Sequence, residues 1–330
     1  MNIGGRRLHV SLLTKNKRWV LILGGLACVP LIIDNPYYLK TFTIFFVYSI
    51  FAMSWDLIGG YLGIVSFGHA LFFGVAAYTT AILNVKLNWP PLLGFPFSIA
   101  CSVLISLVVA RPTIRLKGHY LALVTFAFPI ITTNILYAFP NFFGADLGIP
   151  GLSPLSSSRT RDFYIVYSFV WVIFFLLRRM IHSDTGLILR AIQSNEVAAM
   201  NCGIDTASIK LKMFVLSGML AGAAGFLYAH VIKIASPANL ELHMSVEALV
   251  MCIIGGAGTL SGAILGAVVV TIVNELLRVI EQYRVLGYYV LVLIIVLFSP
   301  KGLTWYVDSA FTLLGKGKRR RSAVIRGEER

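Results

Sequence analysis

Long apolar stretches recur along the chain with only short polar breaks between them. They cover residues 19–33, 41–58, 67–83, 92–110, 119–139, 163–177, 213–232, 246–254, 262–280 and 286–298. A hydrocarbon core of about 30 Å takes roughly 20 helical residues to cross, and somewhat fewer at the short end of the range. The stretches show no alternation of period two, so helices rather than strands must satisfy the backbone in lipid. The pattern predicts an all-α polytopic membrane protein of about ten transmembrane helices. The stretch 246–254 is the exception. Even extended to Gly256 it has 11 residues, roughly 16 Å of helix. Either its polar flank at 241–245 lengthens it, or it is a broken or re-entrant segment whose freed backbone is covered by protein or a water-lined cavity.

Two glycine-rich breaks echo one another. Gly59-Gly-Tyr-Leu-Gly-Ile-Val-Ser-Phe-Gly68 follows the second stretch, and Gly255-Gly-Ala-Gly-Thr-Leu-Ser-Gly262 follows the eighth. Each has a Gly-Gly pair, a further Gly, and then Ser near a Gly before a new apolar run. A parallel internal repeat accounts for this, and so does close packing of helices on small residues.

Composition excludes a soluble domain. The 330 residues are 58% hydrophobic and 13% charged, about half the charge of a water-facing chain. The net charge of +14 raises nucleic acid as a partner, but its placement argues otherwise. Arg6, Arg7, Lys15, Lys17 and Arg18 precede the first stretch, and Lys301 and Lys316-Gly-Lys-Arg-Arg-Arg321 follow the last. The loops 111–117 and 178–212 hold most of the rest. With the N-terminus inside and ten crossings, all four basic segments fall on the cytoplasmic side, as the positive-inside rule requires. The predicted organisation is a basic cytoplasmic N-terminus (1–18), a permease domain (19–299) with a cytoplasmic loop at 179–212, and a basic cytoplasmic tail (300–330). The tail can also meet anionic lipid. Gly25-Leu-Ala-Cys28 brushes a lipoprotein cleavage pattern with Gly where an aliphatic residue belongs, so an uncleaved first helix is expected. Cys28, Cys101 and Cys252 lie in apolar stretches and Cys202 in the basic loop; all read as small hydrophobes rather than a disulfide framework.

No catalytic constellation is present. The chain lacks a G-x-x-x-x-G-K-[ST] phosphate loop, an H-E-x-x-H helix and a G-x-S-x-G turn, and its six histidines have no metal-ligand spacing. Energy must come from other chains or an ion gradient. Asp56, His69, Glu247 and Glu275 are ionisable residues within or beside the apolar stretches, and each is read as interfacial, reaching the headgroups from near a helix end. The loop at 183–212 is the informative polar segment. Ser194 is placed as the cap of a short helix over 195–202, Glu196 complements its dipole, and Gly203 stops it. Such a helix is too short to persist alone. It must dock, and small Ala198 and Ala199 permit close approach.

Glu196-Val-Ala198-Ala199 followed by Gly203 resembles the coupling loop of ABC importer permeases. The chain from about 50 to 303 is similar to the membrane subunits of branched-chain amino acid importers, of the LivM/LivH type and closer to LivM. The matching stretches include Gly59-Gly-Tyr-Leu-Gly63, Ser66-Phe-Gly-His-Ala70, Arg115-Leu-Lys-Gly-His-Tyr-Leu-Ala-Leu-Val-Thr125, Ser245-Val-Glu247, Gly255-Gly-Ala-Gly-Thr-Leu260 and Pro300-Lys-Gly-Leu303. The outer loop keeps Gly148-Ile-Pro-Gly151 but lacks a preceding Thr-Gly-Gly, and Asp56 stands where the family leads one to expect Asn.

The resemblance implies a non-catalytic subunit of the bacterial cytoplasmic membrane that holds no cofactor. Its implied partners are a second permease subunit, two cytoplasmic ATPases that bind ATP and magnesium, and a solute-binding protein. Glu196, Ala198, Ala199 and Gly203 are the implied ATPase-coupling residues. Gly59, Gly60, Ser66, Gly68, His69, Glu247, Gly255, Gly256 and Gly258 are the pathway candidates, from the paired breaks and the short eighth stretch. The implied solute is a branched-chain amino acid, with urea, amides and aromatic acids as alternatives. An autonomous secondary carrier or channel stays open as a second reading and predicts an ion-linked carboxylate at midplane. An intramembrane enzyme would need a catalytic pair that the residues do not offer.

Overall fold

The computed structural model describes residues 24–27, 30, 35–114, 116, 118–279, 284–298 and 302–306. The basic N-terminus, most of the stretch 19–33, Arg115, Lys117, Pro300, Lys301 and the tail from 307 onward lie outside the described residues.

Each remaining apolar stretch forms a helix. Helix α1 (Pro36–Gly59) is opened by Asn35, whose side chain accepts the Tyr37 N–H, with Pro36 in the first turn where its missing donor costs nothing. Helix α2 (His69–Ala81) runs into a wider turn at Ile82–Lys86. Helices α3 (Pro91–Thr113) and α4 (His119–Ala138) follow, then the single turn α5 (Pro140–Phe143). Helix α6 (Arg159–Ile181) ends on Arg178 and Arg179, cations that suit the negative end of its dipole. Two short helices, α7 (Asp184–Ser194) and α8 (Glu196–Asn201), lead into the long α9 (Thr206–Ile232). Helices α10 (Leu242–Gly255), α11 (Leu260–Leu276) and α12 (Arg284–Phe298) complete the bundle. Strands β1 (Ile149–Pro150) and β2 (Ile234–Ala235) pair antiparallel and tie the α5–α6 connection to the end of α9.

Five helices among the described residues are long and apolar enough to cross a membrane: α1, α3, α4, α6 and α9. The chain is therefore a multi-pass membrane protein. The polar flank does lengthen the helix over 246–254, which begins at Leu242 and runs unbroken to Gly255. The bend comes after it, where α10 and α11 meet at 114°. The 14 residues of α10 still reach only about 21 Å.

Helix α1 sits at the centre, packed against α6, α9, α10 and α11, and its second half is buried on all sides. Helix α9 packs on α1, α2 and α3. Its approach to α3 is set by small residues spaced four apart, Gly218 and Gly222 facing Ser106 and Ser102. A Cβ at either glycine would come within 2.5 Å of the facing serine's Cβ. Ser102 Oγ donates to the Gly218 carbonyl at 2.7 Å. Small residues let two backbones close in this way where lipid offers no hydrophobic drive.

Candidate functional site

The two glycine breaks meet in space. Helix α1 is closed by Gly60, whose N–H bonds the Asp56 carbonyl at 2.8 Å. A Cβ on Gly60 would stand 2.0 Å from Asp56 Oδ1 and 2.3 Å from the Gly258 nitrogen. Gly258 has a φ of +76°, which only glycine adopts without strain, and its N–H donates to Asp56 Oδ1 at 2.7 Å. Asp56 is fully buried, and its Oδ2 has no hydrogen-bond partner among the described residues. A third segment closes over the second break. Thr304 Oγ1 donates to the Gly255 carbonyl at 2.9 Å, and a Cβ at Gly302 would fall 2.4 Å from Gly256 Cα.

From Gly60 the chain turns back into the bundle instead of continuing away from it. Phe67 N–H bonds Thr125 Oγ1 of α4 at 3.2 Å, and Trp55 Nε1 donates to the buried Ser66 carbonyl at 2.9 Å. Gly68 N–H bonds Ser66 Oγ at 3.3 Å. His69 therefore opens α2 inside the protein. Its Nε2 lies 2.7 Å from Ser217 Oγ, and that hydroxyl donates to the Ser54 carbonyl at 2.6 Å. With its proton committed to Ser54, Ser217 accepts from the ring, so His69 carries its hydrogen on Nε2. Ala70 N–H reaches Ser245 Oγ of α10 at 2.8 Å.

Three of the four ionisable residues read as reaching the headgroups are enclosed by protein instead. Asp56, His69 and Glu247 are all buried in protein, where Asp56 meets Gly258, His69 meets Ser217 and Glu247 meets Asn274. Glu275, beside Tyr37 and Arg278 at the end of α11, keeps its exposed position. Of the pathway candidates, Gly59, Gly60, Gly255, Gly256 and Gly258 form one cluster, with Ser66, Gly68 and His69 just inside it. Glu247 stands apart. It lies eight residues before Gly255, about 12 Å along the helix, and accepts from Asn274 Nδ2 at 3.1 Å.

The loop at 183–212 forms two helices rather than one, which moves the cap. Ser194 ends α7, and Asn195 opens α8 by accepting the Ala198 N–H at 3.0 Å. Gly203, at φ +82°, stops α8. Its N–H returns to the Met200 carbonyl and that of Ile204 to the Ala199 carbonyl, the paired bonds of a left-handed helix stop. Glu196 does more than complement a dipole. It is paired with the buried Lys210 and lies 3.4 Å from Thr206 Oγ1, which anchors α8 to the first turn of α9. The alanine pair divides. Ala199 is buried against the chain itself, while Ala198 shares the open face with Val197 and Met200.

Sequence reasoning left out Gln193. From α7 it donates through Nε2 to the Gly60 carbonyl at 2.9 Å, with its stem against Gly63. A lone Gln in a polar loop gives no signal of this kind. A cavity of about 820 Å³ opens beside this joint, between residues 62–65, the start of α4 and the α7–α8 corner.

These features sit on a chain whose likeness to known proteins is extensive. The family described as branched-chain amino acid transport system / permease component matches residues 37–299. The high-affinity branched-chain amino acid transport system permease protein LivM of Salmonella typhimurium strain LT2 is 28% identical over 79% of this chain and 68% of its own length. The probable LivM permease of Methanocaldococcus jannaschii is 24% identical over 78% of this chain and 90% of its own. The LivH permease of Escherichia coli strain K12 is 20% identical over the same shares. No solved structure matches the chain. With a match that runs from the first turn of α1 past the end of α12, the chain belongs to the family of branched-chain amino acid transport system permease components.

Proposed function

We propose that this chain is one of two permease subunits of an ATP-driven importer and forms part of the path taken by a branched-chain amino acid or a close relative. The observation that carries the reading is α8. A six-residue helix does not persist alone, yet this one is capped, stopped and pinned by Glu196 to Lys210. It presents Val197, Ala198 and Met200 outward, on a segment flanked by Asn and Asp. A pinned apolar knob of this kind suits docking into a groove on an ATPase. ATP and magnesium belong to those ATPases. The second permease is a LivH-like chain, as the paired names of the relatives suggest. Both termini and the 179–212 loop face the cytoplasm across ten crossings of the bacterial inner membrane. The similarity of the two glycine breaks then reflects a parallel repeat.

Co-expression with a LivH-like permease, both ATPases and the binding protein tests this directly. The complex should purify whole in mild detergent and, in proteoliposomes, take up radiolabelled leucine only with internal or external ATP on the ATPase side. A second reading draws on the buried carboxylates Asp56 and Glu247, which an ion-coupled carrier would use. Leucine uptake by the chain alone under a proton gradient, with no ATPase co-eluting, would establish that reading and remove the first.

A further inference from the structure

The two glycine breaks and the α7–α8 corner are joined by two side chains that no motif marks. Gln193 Nε2 holds the Gly60 carbonyl at 2.9 Å. Asp56 Oδ1 holds the Gly258 N–H at 2.7 Å. Gly60 lies between them, so close that any Cβ would overlap both Asp56 and Gly258. The α7 helix and the second break therefore both bear on the backbone around Gly60. The remaining geometry agrees. Asp56 is buried with Oδ2 unpartnered among the described residues, an arrangement that costs stability. Gln193 sits on the exposed side of α7, where packing alone does not demand it.

We infer that Gln193 and Asp56 are positioning residues that latch the two glycine turns to the α7–α8 corner, so that movement of the ATPase-facing helices shifts both turns together. The inference rests on the importer reading and extends it to two named hydrogen bonds. Neither residue touches solute; each acts through the backbone of Gly60 or Gly258. Coupling of this sort needs a contiguous element that both ends bias between two arrangements; the Gln193–Gly60–Asp56–Gly258 line is contiguous, and amide hydrogen exchange reads whether it shifts.

The complete transporter in proteoliposomes is the material for the test, with Gln193→Glu and Asp56→Asn as near-isosteric variants. Gln193→Glu replaces the donor to Gly60 with an acceptor and should leave yield, assembly and ATP hydrolysis at wild-type levels. Leucine imported per ATP hydrolysed should drop by about tenfold or more, within the usual range of coupling between sites. Asp56→Asn keeps an oxygen for the Gly258 N–H and should retain coupling, whereas Asp56→Leu should lose it. Amide hydrogen exchange at 256–260 decides the latch without reference to solute. In the wild type, ATP binding should change the protection of Gly258, and in Gln193→Glu that response should vanish. An equal response in both proteins, or none in the wild type, overturns the latch. A wild-type complex that imports no leucine while the exchange response is present overturns the importer reading instead.

Discussion

Gly60 and Gly68 both belong to the first glycine break, yet the structure gives them unequal roles. At Gly60 a methyl group would overlap Asp56 and the Gly258 nitrogen; at Gly68 the nearest atom to a Cβ is the Thr125 carbonyl, 3.3 Å away. Gly60→Ala should therefore cost about 1–3 kcal/mol and lower the thermal midpoint of the detergent-solubilised protein. Gly68→Ala should lower that midpoint less than Gly60→Ala does, because the Thr125 carbonyl has to give by only a few tenths of an ångström. The measurement is tryptophan fluorescence on heating, and equal midpoints for the two variants would refute the packing at Gly60. Lys210 supplies a second case. It is buried with Glu196 as its partner, and removing one member of such a pair strands the other, at a cost of about 3–5 kcal/mol when both are deeply buried. Glu196 is a quarter exposed, so Glu196→Ala should fall below that range. Glu196→Ala with Lys210→Met should recover most of the folded yield lost by the single variant.

Among the elements, α8 decides most. Its inward and outward faces separate two kinds of failure. Ala198→Trp places bulk on the open face and should leave folded yield unchanged while the ATPases no longer co-purify. Ala199→Trp overfills a buried position and should lower the yield of the permease itself, by about 1–3 kcal/mol of stability. Yield by fluorescence-detected size exclusion and ATPase retention by pull-down read the two effects separately. Were Ala198→Trp to retain its ATPases and transport normally, α8 would not be the docking element. The start and stop of this helix were legible in the residues to within one position. Asn195 and Ser194 are both good caps, and only the formation of α7 ahead of them assigns Ser194 to the preceding helix. The inward turn of Ala199 was not legible, because six residues show no periodicity that distinguishes one face from the other.

At the scale of the whole molecule, Cys202 offers a test of sidedness. It is exposed on the stop of α8, whereas Cys252 is buried and Cys101 partly so. A membrane-impermeant maleimide should label Cys202 in inverted vesicles and leave intact spheroplasts unlabelled. Labelling in intact spheroplasts would place the 179–212 loop outside and reverse the proposed topology. The described residues also divide the bundle by burial. Helices α1 and α9 lie mostly inside, while α3, α4 and α6 present most of their length outward, where lipid or another subunit must cover them.

The sequence by itself determined the class of protein, the positions of most described helices and the short helix α8. Each of these follows from local composition: apolar length for a span, a cap and a glycine stop for a helix end. It also marked the two glycine breaks by their likeness to each other. Only the tertiary structure decided that those breaks touch, that Asp56 and His69 are enclosed instead of reaching a headgroup, and that Gln193 joins the α7–α8 corner to Gly60. These depend on contacts between residues 133 to 202 positions apart. Ionisable residues near helix ends look interfacial in a linear reading because the chain's return into the bundle after Gly60 leaves no periodic trace. The close approach of Gly60 to Gly258 exists only once both turns are in place.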